Sequence, residues 1–142
     1  MSEKKKKTKK RYKKCVQSYT KLNLYNFGEE YFNLIWQKEK CILELTIDHK
    51  FSISEGYKND IPAIIISSPN NLRLISEKEN NEKGKKCSIT IIELFEGFLN
   101  FKKEHSDIID KKDIGLQFIK NYIKKNYSLF NDDRKNEEKN NN

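Results

Sequence analysis

The residue whose type and setting come nearest to catalytic chemistry is Cys87, which follows Gly84, Lys85 and Lys86. Neighbouring lysines can lower the pKa of a thiol and so favour the nucleophilic thiolate. A cysteine before an apolar helix is, however, more often a small buried hydrophobic residue. We therefore expect a protein that is not an enzyme, with Cys87 as its one candidate nucleophile.

The other reactive side chains lack the spacing of a catalytic or metal site. His49 and His105 have no partner at zinc or triad spacing, and Cys15, Cys41 and Cys87 form no metal-binding motif. We expect hydrogen-bonded or solvated histidines, no metal and no cofactor. The sparse, odd number of cysteines indicates reduced thiols inside the cell. Because no apolar run reaches the length of a signal peptide or a membrane span, we expect a cytoplasmic or nuclear protein without membrane contact.

The positive charge of the chain lies almost entirely at its beginning. The net charge is +8, and residues 1–14 contain nine Lys or Arg and one Glu, whereas residues 15–142 contain twenty basic and twenty acidic residues. A run of like charges predicts a disordered arm over 1–14. Such an arm can be a solvated tail, a nuclear-localisation signal or an RNA contact. The candidate nucleic-acid contacts are Lys4, Lys5, Lys6, Lys7, Lys9, Lys10, Arg11, Lys13 and Lys14.

A single α+β domain over 15–130 is predicted between this arm and a disordered polar tail over 131–142. The spacing of apolar residues predicts a helix and then three strands, in chain order 15–26, 30–37, 41–47 and 63–66. Helix is the alternative for 30–37. We expect Phe32, Leu34 and Trp36 in the core, because a base-stacking platform would need exposed aromatic residues interleaved with basic ones.

Two helices are predicted after a polar loop or weak helix over 70–86. Thr90 and Glu93 form a capping box at the start of the first, which extends to about Glu104 on a stripe of apolar residues. This assigns Glu93 to a cap, and Glu96 to the solvent face, rather than to acid–base catalysis. The second is predicted over 110–127, with Asp110 as its N-cap. The fold class is therefore α+β, an antiparallel β-meander with helices packed on one face.

The turn between the second and third predicted strands, 56–62, carries Tyr57 and Pro62. With the predicted order of elements it resembles the RWD domain, the non-catalytic relative of the ubiquitin-conjugating-enzyme fold. In that family a Tyr-Pro pair is followed, after three intervening residues, by another proline. Tyr57 and Pro62 stand at the matching separation, while Lys58 replaces the first proline. The resemblance covers about 15–104 and predicts that the Tyr57 ring is buried against the sheet.

The resemblance implies a protein-interaction or scaffold subunit in translation control, a ubiquitin-related complex or a kinetochore assembly, without a small-molecule substrate. An alternative is a small RNA-binding subunit, because the Alu-domain proteins of the signal recognition particle also have helix, three strands and helix with basic tails. The balanced charge of 15–142 argues against it, since RNA contacts need basic residues on the docking face. A further alternative is a divergent conjugating enzyme that uses Cys87 to form a thioester.

Overall fold

The structure is a computed structural model that describes residues 3–33, 36–37, 40–41, 46–105 and 113–126, with side chains in 8–33, 46–105 and 113–126. The chain forms two compact units, Met1–Ile109 and Asp110–Asn142. In chain order the elements of the first unit are α1 (Glu3–Phe32), β1 (Trp36–Gln37), β2 (Lys40–Cys41), β3 (Thr46–His49), α2 (Ile53–Lys58), α3 (Ala63–Ile66), a 3-10 turn (Pro69–Asn71), β4 (Leu72–Ile75), α4 (Glu77–Lys83) and α5 (Ile91–Glu104). The second unit contains α6 (Ile114–Lys125).

The fold is mixed and mostly helical, with two small antiparallel pairs of strands. β1 pairs with β2, and β3 pairs with β4 in the register Thr46 opposite Ile75 and His49 opposite Leu72. Helix α1 packs on α2, α3 and the 3-10 turn, and α5 packs on α3 and the same turn. The buried apolar residues of this unit are Val16, Leu24, Phe51, Ile61, Ile65, Ile66, Leu72, Ile75, Leu94, Phe95, Phe98 and Phe101. The described part thus has the predicted α+β character, but not the predicted arrangement of strands.

The predicted third strand, 63–66, is the short helix α3, so that this prediction was wrong. A four-residue apolar run fits a buried helix as well as a strand. Ile65 and Ile66 are adjacent and both fully buried, whereas neighbours in a strand point to opposite faces. The strand that pairs with β3 is instead β4, whose partners are distant in the sequence.

The first helix is much longer than the predicted 15–26. It begins at Glu3, inside the predicted disordered arm, and continues through Gly28 to Phe32. Lysine is a good helix former, and a glycine inside a helix costs only about 1 kcal/mol relative to alanine. Asn33, the residue after the helix, has a positive φ of 52°, which is typical of a helix C-terminus. Residues 30–32, predicted as strand, are therefore helical, and Leu34 lies outside the described residues.

The later helices match the sequence prediction more closely. α5 spans Ile91–Glu104, and the Thr90–Glu93 capping box is present at its start. α6 begins later than predicted, with Asp113 as its N-cap, while Asp110 lies outside the described residues. The predicted polar segment contains α4, which Ser76 caps through a bond from the Glu79 amide.

Candidate nucleic-acid interface

Tyr12 fixes the basic half of α1 to the rest of the first unit. Its hydroxyl donates a hydrogen bond to the carbonyl oxygen of Ile61 at 2.7 Å. Its ring lies 5.6 Å from the ring of Tyr57, centroid to centroid. Burial raises the pKa of Tyr12 above its ordinary value. The basic residues on either side of Tyr12 are thereby held at defined positions on a helix.

One face of α1 is buried along the next three turns. Val16, Thr20 and Leu24 follow at four-residue spacing and are all buried. The Asn23 amide donates to the carbonyl oxygen of Ser67 at 2.8 Å, which connects this face to the end of α3. Because Tyr12 and these residues define the inward side, the outward side of α1 is also defined.

Basic residues occupy the outward side. Lys10, Lys14 and Lys21 are exposed and fall within about 40° of one another on a helix of 3.6 residues per turn. Arg11 is exposed beside them. The sequence between Lys4 and Gly28 contains ten basic residues and no acidic one. This face therefore attracts anions without an internal carboxylate to neutralise it.

Exposed apolar side chains lie on the same stretch of α1. Tyr19 is 41 % exposed, Leu22 54 % and Tyr25 62 %. Tyr25 follows Lys21 by four residues and so lies on the same side of the helix. Aromatic rings interleaved with basic side chains are the arrangement that binds single-stranded nucleic acids, because the rings stack on bases while the cations contact phosphates.

The nucleic-acid contacts predicted from sequence divide into three groups. Lys10, Arg11 and Lys14 belong to the outward face, while Lys9 and Lys13 fall on the inward side of the helix and line a cleft. The side chains of Lys4, Lys5, Lys6 and Lys7 lie outside the described residues. The sequence prediction missed Lys21 and Tyr25. The absence of acids from 4–28 and the spacing of the three lysines were the signals that could have found this face.

His49 is a half-buried histidine that contacts α1. Its Nε2 lies 3.0 Å from the hydroxyl of Thr20 on α1. Its pKa is lowered to about 4, chiefly by burial; the charge of Asp48 opposes this shift, and the charge of Lys83 adds to it. Its contact with Thr20 joins β3 to α1, which indicates a structural role.

Asp48 is a buried carboxylate with two cationic partners. Its Oδ2 accepts from Nε of Arg73 at 2.8 Å, and its Oδ1 accepts from Nζ of Lys83 at 2.7 Å. Lys83 also donates to the carbonyl oxygen of His49 at 2.6 Å. These bonds connect the β3–β4 pair to the end of α4 and satisfy both carboxylate oxygens.

Cys87 is half-buried beside the start of α2. Its Sγ accepts a hydrogen bond from the backbone amide of Ser52 at 3.2 Å and lies 3.6 Å from the Ser52 hydroxyl. These contacts indicate a structural role for Cys87, which connects its own segment to Ser52 at the start of α2. The expectation that the chain is not an enzyme, and the alternative use of Cys87 as a nucleophile, both stay predictions.

The Tyr57–Pro62 segment differs from the predicted turn. Gly56, Tyr57 and Lys58 lie in α2, and Pro62 with φ of −54° precedes α3. Tyr57 is half-buried, and its ring packs against Tyr12 of α1. The expected burial of its ring is thus partial, and its packing partner is a helix.

His105 belongs to an aromatic cluster where α1 and α5 end. Its ring lies 4.8 Å from Phe27 and 4.9 Å from Phe101, centroid to centroid, and its Nε2 lies 3.2 Å from the hydroxyl of Tyr31. Tyr31 in turn donates to Glu104 at 2.9 Å, and burial together with this bond raises the pKa of Tyr31. The cluster contributes packing that favours the continuation of α1 beyond Gly28.

The chain matches no protein-family model, curated protein or solved structure. Within the described residues, no group of three His, Cys, Asp or Glu side chains is placed to hold a metal ion. The described helices include none with the length and apolar character needed to cross a membrane. Functional inference therefore rests on the geometry of the chain itself.

Proposed function

We propose that this protein binds single-stranded nucleic acid, RNA in the first instance, through the outward face of α1. The observation that carries the proposal is that exposed Lys10, Lys14 and Lys21 and the exposed ring of Tyr25 follow one another along one side of a single helix. The lysines contact phosphates, and the tyrosine ring stacks on a base. Neither contact requires a particular base, so binding tolerates different sequences.

The balanced charge of 15–142 does not oppose this proposal. The basic segment is continuous with a helix that is packed into the first unit, and Lys21 lies on the same stripe beyond the predicted arm. The docking face is therefore built from α1 alone, and it carries its own excess of positive charge. No acidic residue occurs between Lys4 and Gly28; the acidic residues of the chain lie before or after this segment.

The test is a titration of a labelled oligouridylate with full-length protein at rising salt. Wild-type protein is compared with the double variant Lys14→Gln/Lys21→Gln. The slope of log affinity against log salt is negative, and each lost phosphate contact reduces its magnitude by about 0.7 for a single strand. We therefore expect the slope of the double variant to be shallower by about 1.4.

A matched control removes the same charge elsewhere. Lys78 and Lys103 are exposed and lie on α4 and α5. The variant Lys78→Gln/Lys103→Gln should keep the wild-type slope. If the salt dependence became equally shallow in both double variants, only net charge would matter, and the assignment of binding to α1 would fail.

A protein-interaction module of RWD type is the second candidate. It is favoured by Ile92 and Leu99, which are 36 % and 39 % exposed and lie seven residues apart on the same side of α5. This side of α5 offers apolar contact area without the cluster of lysines that marks α1. The RWD resemblance itself stays a prediction, as do the complexes that it implies.

Affinity purification from the native cell distinguishes this candidate. A protein partner that docks on α5 should be recovered with wild-type protein and lost with Ile92→Ser/Leu99→Ser. Glu77→Gln, at an exposed position on α4, is the control and should retain the partner. Recovery of the same partner with all three proteins would remove α5 as the docking face. Cytoplasmic or nuclear location stays part of either proposal.

A further inference from the structure

A cleft of about 430 Å³ lies between α1, β3, α2 and α4. Lys9 and Lys13 of α1 line one wall, and Lys83 and Lys85 line the other. Its volume falls within the range of about 300–1,000 Å³ that is usual for small-ligand sites. The cleft lies within the first unit, so its walls belong to one compact body.

The lining of the cleft has a strong excess of positive charge. Among the described residues that line it, Asp48 is the one carboxylate, against four lysines. Both oxygens of Asp48 are already bonded, to Arg73 and to Lys83. Lys9, Lys13 and Lys85 therefore add charge that no carboxylate of the described lining neutralises.

The remaining polar groups suit an anion and add no negative charge. Ser54, Tyr57, Asn80 and Gln17 line the cleft with hydroxyl and amide groups that can donate hydrogen bonds. His49 also lines it, but burial lowers the pKa of its imidazole to about 4 and so favours the neutral form. An anion in the cleft would therefore be bound mainly by the lysines, which commonly bind phosphate as point charges.

We infer that this cleft binds a phosphomonoester group. Three ammonium groups that no carboxylate of the described lining neutralises suit a compact dianion better than the single charge of each phosphate along a chain. The 5′-phosphate end of an oligonucleotide and a free nucleoside monophosphate both present this group. In the first case the inference rests on the proposed function and deepens it, because the end of a strand would enter the cleft while its chain lies on α1.

The experiment uses full-length protein and paired probes. Oligouridylates of equal length with a 5′-phosphate or a 5′-hydroxyl are compared by fluorescence anisotropy, and adenosine 5′-monophosphate is compared with adenosine by calorimetry. We expect the 5′-phosphate to raise affinity by about ten-fold, because charge-assisted bonds are the strong ones. Preference for adenosine 5′-monophosphate without a preference between the oligonucleotides would also support the inference and would identify the free nucleotide as the ligand.

The variants locate the site. Lys13→Gln and Lys85→Gln should abolish the preference for the phosphorylated probe. Lys14→Gln, one residue away on the outward side, should weaken both oligonucleotides equally and keep the preference. Equal binding of phosphorylated and unphosphorylated members of both pairs would overturn the inference, as would a preference that Lys13→Gln/Lys85→Gln retains. Binding of the 5′-hydroxyl oligonucleotide would still support the proposed function. Failure of this inference can therefore be distinguished from failure of the proposed function.

Discussion

The hydroxyl of Tyr12 donates to the carbonyl oxygen of Ile61 at 2.7 Å, and this bond joins two residues that are 49 positions apart. Ile61 is buried, and the Tyr12 ring also contacts Tyr57. A single side chain thus attaches the basic part of α1 to the segment between α2 and α3. The orientation of every lysine near Tyr12 depends on this attachment.

Tyr12→Phe should destabilise the protein by about 1–3 kcal/mol, because the carbonyl oxygen of Ile61 loses its donor in a buried place. The phenyl ring would keep its contact with Tyr57. Urea denaturation measures the change, and Tyr25→Phe serves as a control because the Tyr25 ring is largely exposed. Equal stability of Tyr12→Phe and wild-type protein would show that the attachment is unimportant.

Asn71 should be among the most sensitive polar residues. Its Oδ1 accepts from the amide of Phe51 at 2.8 Å, and its Nδ2 donates to the carbonyl oxygens of Phe51 and Ile66 at 3.1 Å and 2.7 Å. Asn71→Ala leaves these buried groups without partners, so we expect a loss of about 2–4 kcal/mol in the free energy of unfolding.

Asn59 provides the control for Asn71. It is exposed, and its amide donates to the carbonyl oxygen of Glu55 at 2.7 Å. Asn59→Ala should change stability by less than about 0.5 kcal/mol, as surface substitutions usually do. Similar losses for the two alanine variants would contradict the role given to Asn71.

Stability should fall in mild acid because of His49. Its pKa is lowered to about 4 in the folded protein, whereas an unfolded histidine titrates near 6.5. Below about pH 6.5 the unfolded chain binds a proton that the folded protein excludes, so stability is complete above that pH and falls towards pH 4. The expected loss between about pH 7 and about pH 5 is about 2 kcal/mol.

Denaturation at both pH values tests this expectation in His49→Gln, which should be less dependent on pH than wild-type protein. Asp48 and Lys83 face the same region and are unchanged in the variant. His105→Gln keeps His49 and should retain the wild-type difference. An unchanged pH dependence in His49→Gln would rule out His49 as its source.

Tyr25→Ala should weaken binding of single-stranded RNA, because base–aromatic stacking contributes about 1–3 kcal/mol per base. This corresponds to a loss of affinity of about 5- to 150-fold. Tyr25→Phe keeps a ring and should bind nearly as well as wild-type protein. A loss that is the same in both variants would point to the hydroxyl group instead of stacking.

Local sequence signals predicted the parts of the fold that local interactions determine. The Thr90–Glu93 capping box and the spacing of Leu94 and Phe98 define α5 without help from distant residues. β4 was missed because its pairing with β3 joins segments that are far apart in the sequence. The strand predicted at 63–66 was wrong for a related reason, since tertiary packing decides the conformation of a run that fits either state.

The site was foreseen in composition but not in geometry. The basic run was recognised as a possible nucleic-acid contact, yet charge repulsion suggested disorder where Tyr12 and Val16 pack a helix onto the first unit. Once that helix is defined, the division of its lysines into an outward stripe and a cleft wall follows from its period. The position of Lys83 in the cleft depends on its bond to Asp48, and no sequence pattern predicts that bond.

Photocrosslinking tests the central claim most directly. Full-length protein is bound to an oligouridylate that contains 4-thiouridine, irradiated and digested, and the crosslinked residues are identified by mass spectrometry. The proposed function predicts crosslinks in the 19–25 segment of α1, with Tyr25 foremost, and their loss at high salt. Crosslinks confined to α5, or none above background at a protein concentration that saturates the RNA, would contradict it.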